Sequence, residues 1–278
     1  MPYSAEISRT NPTCFLFLVD QSGSMVKPFG GEHGKIKAQG VADAINRLLQ
    51  NLCLKCAKSD GVRNYFHVGV IGYGGNNCRP ALGGELAGRA LVPIGDIANK
   101  PLRVENRLKK VDDGAGGLID KKFKFPIWFE PTGAGKTPMC QAFTMAHQVL
   151  DDFINKFPNC YPPLVINITD GVATDGNPEM PAARVKQLQS SDGAVLVFNV
   201  HLSSRQDRPV EFPDNERILP SDYAQMLFRM SSVLPPKIRA AAKAEGYHVS
   251  ENTRGFVFNA DLVSVIRFLD IGTKVGGR

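Results

Sequence analysis

Cys14-Phe15-Leu16-Phe17-Leu18-Val19-Asp20-Gln21-Ser22-Gly23-Ser24 decides how this 278-residue chain is read. Cys14 to Val19 is a continuous apolar run without alternation, as expected of a strand buried on both faces. Such strands belong to mostly parallel sheets with helices on each side. An acid and two hydroxyls follow at every second position. In extended backbone alternate side chains face the same way, so the oxygens of Asp20, Ser22 and Ser24 can converge on one point, and that point suits a cation.

Downstream, apolar runs alternate with segments of helical period. Positions 41, 44, 45, 48, 49, 52, 53 and 56 form an unbroken apolar stripe and predict a helix packed on the sheet. Strands are expected at 65–74 (YFHVGVIGYG), 89–94 (RALVPI, with Pro93 marking an edge), 164–169 (LVINIT), 194–200 (AVLVFNV) and 255–259 (GFVFN). Helices are expected over 138–157, 179–190, 223–245 with a break at Pro235 and Pro236, and 261–271. Residues 95–136, with glycines at 114, 116 and 117, and residues 203–221 lose this rhythm and read as surface insertions in one domain with a core of about 13–271. The expected architecture is a doubly wound, mostly parallel α/β sheet with helices on both faces.

Composition excludes several classes. Hydrophobic residues make up 43% of the chain, too many for a disordered protein. The first apolar run lacks a basic lead and stops at Asp20, so no signal peptide is expected, and no run approaches the roughly 18–20 apolar residues that cross a bilayer. With six cysteines in such a chain, free thiols in a reducing compartment are expected, which places the protein in the cytoplasm. The net charge of +6 concentrates in 100–124, where eight basic residues face four acidic ones. That stretch has Phe123 as its one aromatic, so a solvated face is expected in preference to a nucleic-acid site.

Two more pieces complete the candidate site. The strand 164–169 ends in Thr169-Asp170-Gly171, which puts a second carboxylate at a strand end, and carboxyl edges of open parallel sheets are where ligands bind. Thr137 stands directly before Pro138 and a predicted helix. Asp-x-Ser-x-Ser after a buried strand, a Thr in GKTPMCQAF and a strand-terminal Thr-Asp-Gly resemble, in that order, the metal-ion-dependent adhesion site (MIDAS) of von Willebrand factor A (vWA) domains. FHVGVIGYG, FRMSSVLPP and GFVFNADLVSVIRFLDIGT are most similar to intracellular bacterial members, including those of tellurium-resistance clusters. The resemblance implies a 3-2-1-4-5-6 strand order and a Mg²⁺ ion, or Mn²⁺ or Ca²⁺, held by Asp20, Ser22, Ser24, Thr137 and Asp170. It further implies a protein partner that offers an Asp or Glu as the ion's last ligand, in a stress-response or signalling complex. A kinase or phosphatase encoded nearby is one such partner, and no catalysis is implied. Mg²⁺ takes about six oxygens, and neutral hydroxyls leave it electrophilic enough to accept one more acid.

Other readings stay open at this level. Asp20, Ser22 and Ser24 could be turn formers, and Thr137 a helix N-cap before a first-turn proline. GAGKT (133–137) suggests a nucleotide-hydrolysing loop, but Glu130 stands where its first Gly should be. Asp20 suggests a phosphoester hydrolase of the Asp-x-Asp type, but Ser22 replaces the second acid. Cys53 and Cys56 form a CxxC on the apolar stripe late in a helix, which favours packing over redox chemistry or zinc. Asn167-Ile168-Thr169 matches a glycosylation pattern inside a buried strand and is set aside.

Overall fold

The computed structural model describes residues 2–28, 35–75, 77–112, 117–202 and 209–272. The run at the start of the chain forms β1 (Thr13–Asp20), buried throughout, and the striped segment forms α1 (Lys37–Cys56). There follow β2 (Phe66–Gly74), β3 (Asn77–Pro80), β4 (Val92–Pro93) and α2 (Ile94–Asn99). A hairpin comes next, β5 (Arg103–Asp112) with β6 (Leu118–Ile127), and then α3 (Met139–Lys156), β7 (Leu164–Thr169) and α4 (Glu179–Gln187). The chain continues through β8 (Leu196–Leu202), β9 (Val210–Glu211), α5 (Asp222–Met230), α6 (Pro236–Ala244), β10 (Phe256–Ala260) and α7 (Leu262–Gly272).

Among the described residues eight strands make one sheet in the order β9-β10-β8-β7-β1-β2-β3, with β4 also on β2. The five inner strands β10, β8, β7, β1 and β2 are parallel, and β9, β3 and β4 pair antiparallel at the edges. Read as successive units, this is the 3-2-1-4-5-6 order that the resemblance implies. The order reverses between β1 and β7, so the loops after Asp20 and Thr169 open side by side.

Period-two burial divides β1 between two cores. Phe15, Phe17 and Val19 join Ile45, Leu49, Ile238 and Phe268 on the face covered by α1, α6 and α7. Leu16 and Leu18 join Phe143, Leu150, Val185 and Leu227 on the face covered by α3, α4 and α5. Polar groups tie the second layer together. Tyr73 Oη donates to Asn167 Oδ1 (2.7 Å), Asn167 Nδ2 to Asn199 Oδ1 (3.0 Å), and Asn199 Nδ2 to Ser231 Oγ (2.9 Å). The Asn167 amide is therefore buried and bonded across three strands, which agrees with setting the glycosylation pattern aside.

Several expectations are corrected. The segment 89–94 contributes only the two residues of β4, and β3 is an additional edge strand. The insertion 95–136 is not irregular: it holds α2 and the β5–β6 hairpin, a separate two-stranded sheet. Phe125, Ile127, Trp128 and Phe129 are buried at the base of the hairpin, whereas Leu108 and Leu118 lie exposed. The insertion 203–221 carries β9 and a 3-10 turn (Glu216–Ile218). Positions 114 and 116 and residues 203–208 of these expectations lie outside the described residues. The helix break at 235–236 is as expected, with Pro236 at the first position of α6. Cys53 and Cys56 are free and pack on α1, where burial pushes their thiols up to about 12 and about 11.

His67 of β2 supplies a pH signature. Its ring packs between Phe153 and Phe157, its Nδ1 is buried without a hydrogen-bond partner among the described residues, and burial, helped by Lys156, pushes its pKa from 6.5 down to about 4. The unfolded chain therefore binds more protons than the folded one between pH 4 and 6.5. Stability is complete above that window and falls as the pH drops through it. The carboxyl of Asp20, raised by burial, works the other way at the acid end. Urea unfolding across this range should show His67→Phe with a pH slope shallower by about one proton than wild type; identical slopes would show that His67 does not titrate in this way.

Candidate metal centre

The site is built where two adjacent parallel strands end. Parallel register sets Val19 beside Ile168, so Asp20 and Thr169 follow as neighbours, and Thr169 Oγ1 donates to Asp20 Oδ2 at 2.8 Å. The other oxygen, Oδ1, accepts from the Ser22 backbone N–H at 2.8 Å. Asp20 is wholly buried, and burial raises its carboxyl above the usual range, opposed by the donors on Ser22 and Thr169.

From Ser22 a chain of polar contacts leads to the second carboxylate. Ser22 Oγ lies 2.9 Å from Ser24 Oγ, and Ser24 Oγ donates to Asp170 Oδ1 at 2.5 Å. The Ser22 hydroxyl makes no cap bond to the 3-10 turn Gly23–Val26, so the turn-former reading accounts for Asp20 Oδ1 but not for the serines. Asp20, Ser22, Ser24 and Asp170, up to 150 positions apart in sequence, thus meet at one edge.

Thr137 is positioned by backbone. Gly23 N–H donates to Gly135 O (3.1 Å) and Ala134 N–H to Gln21 O (2.7 Å), which lays 133–137 along the loop of Asp20. On its other side Thr137 O accepts from Thr174 N–H (3.0 Å), and Thr137 N–H donates to Thr174 Oγ1 (3.0 Å). Thr137 therefore stands between the two acid-bearing loops. Its hydroxyl makes no hydrogen bond among the described residues and is not one of their sealed, unpartnered polar atoms, so it faces the solvent side of a residue that is 6% exposed.

The alternative reading of Thr137 as the N-cap of α3 does not hold. Residue 138 occupies the cap position of α3, the Met139 amide donates to Thr137 O (2.9 Å), and the next two amides, Cys140 and Gln141, donate to the Asp175 carboxylate at 3.1 and 2.9 Å. Asp175 does the capping, which leaves the Thr137 hydroxyl available. The same geometry bears on GAGKT. Its glycines serve close backbone approach: a Cβ on Gly135, at φ +68°, would sit 2.5 Å from Gly75 Cα, and one on Gly133 would sit 3.1 Å from Ser22 O. The helix start that a phosphate would need already faces a carboxylate, and Lys136 is exposed.

Glycines of β2 make room for the loop after β1. A Cβ on Gly74 would lie 2.3 Å from the Gln21 carbonyl oxygen, and one on Gly72 would lie 2.2 Å from the Gln21 side chain. The strand VGVIGYG is thus shaped to let residue 21 pack down and project Ser22 and Ser24 along the edge.

Sequence reading missed Lys37. As the first residue of α1 it reads as a solvated helix-start residue, yet it is 3% exposed and its Nζ donates to Asp170 Oδ2 at 2.7 Å. Around the site stand Tyr223, whose hydroxyl donates to the Gly171 carbonyl, and His201, pushed down to about 4 by burial and stacked on Phe258.

The donor set fits a hard divalent cation. It offers two carboxylates and three hydroxyls, all oxygen, with one hydroxyl unpartnered among the described residues and a cation, the Lys37 ammonium, already drawn to one acid. Among the described residues no three His, Cys, Asp or Glu side chains cluster as a metal site, so an ion here would rely on the hydroxyls.

No protein-family model matches the chain, and no curated protein matches it in sequence. Among solved structures, it is similar to the three N-terminal domains of the type V pili tip protein Mfa5 from Porphyromonas gingivalis (13% identity, 59% of this chain and 20% of that one, TM-score 0.34). It is also similar to the vWF domain of the same protein (14%, 59% and 39%, TM-score 0.33). A third neighbour is the pilus adhesin RrgA from Streptococcus pneumoniae (14%, 61% and 22%, TM-score 0.30). The match thus spans well under half the length of each of these proteins. No helix among the described residues is long and apolar enough to cross a membrane.

Proposed function

We propose that this chain is a metal-dependent protein-binding module of the vWA type. In this reading Asp20, Ser22, Ser24, Thr137 and Asp170 hold one divalent cation, Mg²⁺ or else Mn²⁺ or Ca²⁺, as a MIDAS. The observation that carries it is the meeting of two strand-end carboxylates with Ser22 and Ser24 through direct hydrogen bonds, beside a Thr137 hydroxyl that has no partner among the described residues. A cation held by these residues would supply a Lewis-acidic point to which an Asp or Glu of the partner could bind.

This chain's own residues do the rest. Asp20 is fixed by Thr169 and the Ser22 amide, so its orientation costs little on binding. Ser24, half-buried, lies on the solvent side of the set, and Val26 and Val172, each close in sequence to a site residue, are exposed. They give a partner apolar contact beside the acid. We place the module in a cytoplasmic bacterial stress-response or signalling complex of the tellurium-resistance type, without membrane or nucleic acid. A kinase or phosphatase encoded nearby is the kind of partner that fits.

An enzymatic reading makes different demands. ATP or phosphoester turnover through Lys136 or Asp20 needs an open phosphate cradle or an exposed nucleophile, whereas Asp175 faces the start of α3 and Asp20 is wholly buried.

Affinity capture from the native cell separates the two. Capture of a specific partner should persist in Mg²⁺, vanish in EDTA and vanish with Ser22→Ala. Capture indifferent to EDTA, or phosphoester turnover lost with Lys136→Ala, would overturn the proposal.

A further inference from the structure

Two physical costs attach to the position of Lys37. A buried ammonium is costly to desolvate, and a buried ion pair is often no better for stability than an apolar residue of similar size. The start of a helix also disfavours positive charge, because the macrodipole is positive there. Yet Lys37 opens α1, is 3% exposed, and spends its ammonium on Asp170 Oδ2. With Ser24 donating to Oδ1, both oxygens of Asp170 already have internal donors.

From this geometry we infer that Lys37 is a built-in cation that competes with the divalent ion for Asp170 and so sets the affinity of the site. This rests on reading residues 20, 22, 24, 137 and 170 as the ion site. Two acids and one ammonium give the set a formal charge of −1. A divalent ion brings it to +1 and must approach against a neighbouring positive charge, a repulsion that is strong where water is excluded. The ion alone is therefore held weakly. An incoming carboxylate returns the charge to zero, so ion and acidic ligand each strengthen the binding of the other by the same factor. Without Lys37 the loaded site would already be neutral and would draw an acid less.

The test is a Mn²⁺ titration of the full chain, following free Mn²⁺ by electron paramagnetic resonance, for wild type, Lys37→Met, Lys37→Gln and Lys37→Arg. Lys37→Met and Lys37→Gln should bind Mn²⁺ about tenfold or more tightly than wild type, and Lys37→Arg, which keeps the charge, should stay close to wild type. Lys37→Gln can still donate to Asp170, so it carries the test if Lys37→Met does not fold. Affinity equal to or weaker than wild type in the neutral variants overturns the inference and leaves the ion site standing. No Mn²⁺ uptake by wild type or either neutral variant overturns the ion site itself.

Discussion

Asp170→Ala should destabilise the chain by about 3–5 kcal/mol in EDTA, because it strands the Lys37 ammonium in the interior without a counter-charge. The Asp170 side chain is fully buried and that of Lys37 is 4% exposed, so water cannot take over the pairing without local opening. Removing one member of such a pair costs far more than the pair contributes, since the loss is the desolvation of the partner left behind. The double variant Asp170→Ala/Lys37→Met should recover much of the stability, giving a coupling of about 2 kcal/mol in a double-mutant cycle read by urea unfolding. Additivity within about 0.5 kcal/mol would mean the two side chains do not depend on each other. Asp170→Ala is therefore a poor probe of ion binding taken alone, because fold and site fail together.

The second large effect is on the ion. Asp20→Asn keeps the volume and can still accept from Ser22 N–H or Thr169 Oγ1, but it removes one of the two negative charges that offset a divalent cation. Mn²⁺ affinity should fall by about 10–100-fold, the range seen when groups that support metal ligands are changed. The fold should tolerate it, because burial already works against the charged form of Asp20. A variant that binds Mn²⁺ as wild type does would remove Asp20 from the site.

Much of this was written plainly in the chain. Residues 14–19 have no polar break because β1 is covered on both faces, and the stripe of α1 has none because one side of that helix is entirely core. Asp20, Ser22 and Ser24 alternate, and alternation in a loop that leaves a buried strand is a geometric statement about direction. Asp170 follows from the same logic at β7. Other features left no local trace. The β5–β6 hairpin is exposed along much of its length, so its residues carry no period-two burial signal. Two-residue strands such as β4 and β9 exist by tertiary pairing alone. Thr137 before a proline looks like a cap, and only the position of Asp175, 38 residues on, shows the cap to lie elsewhere. Lys37 is the sharpest case. A lysine in a first helical turn reads as solvated until a strand end 133 residues away is seen to aim a carboxylate at it.

Thr137 offers the cleanest access to the central claim, since its hydroxyl makes no bond within the described protein that a valine would break. Isothermal titration of Mn²⁺ into wild type and Thr137→Val, with urea unfolding of both in EDTA, separates ligand from scaffold. One ion per wild-type chain is expected, with about tenfold weaker binding in Thr137→Val and equal stability without metal. Equal Mn²⁺ affinity in the two proteins, or no binding by wild type, would contradict the ion site.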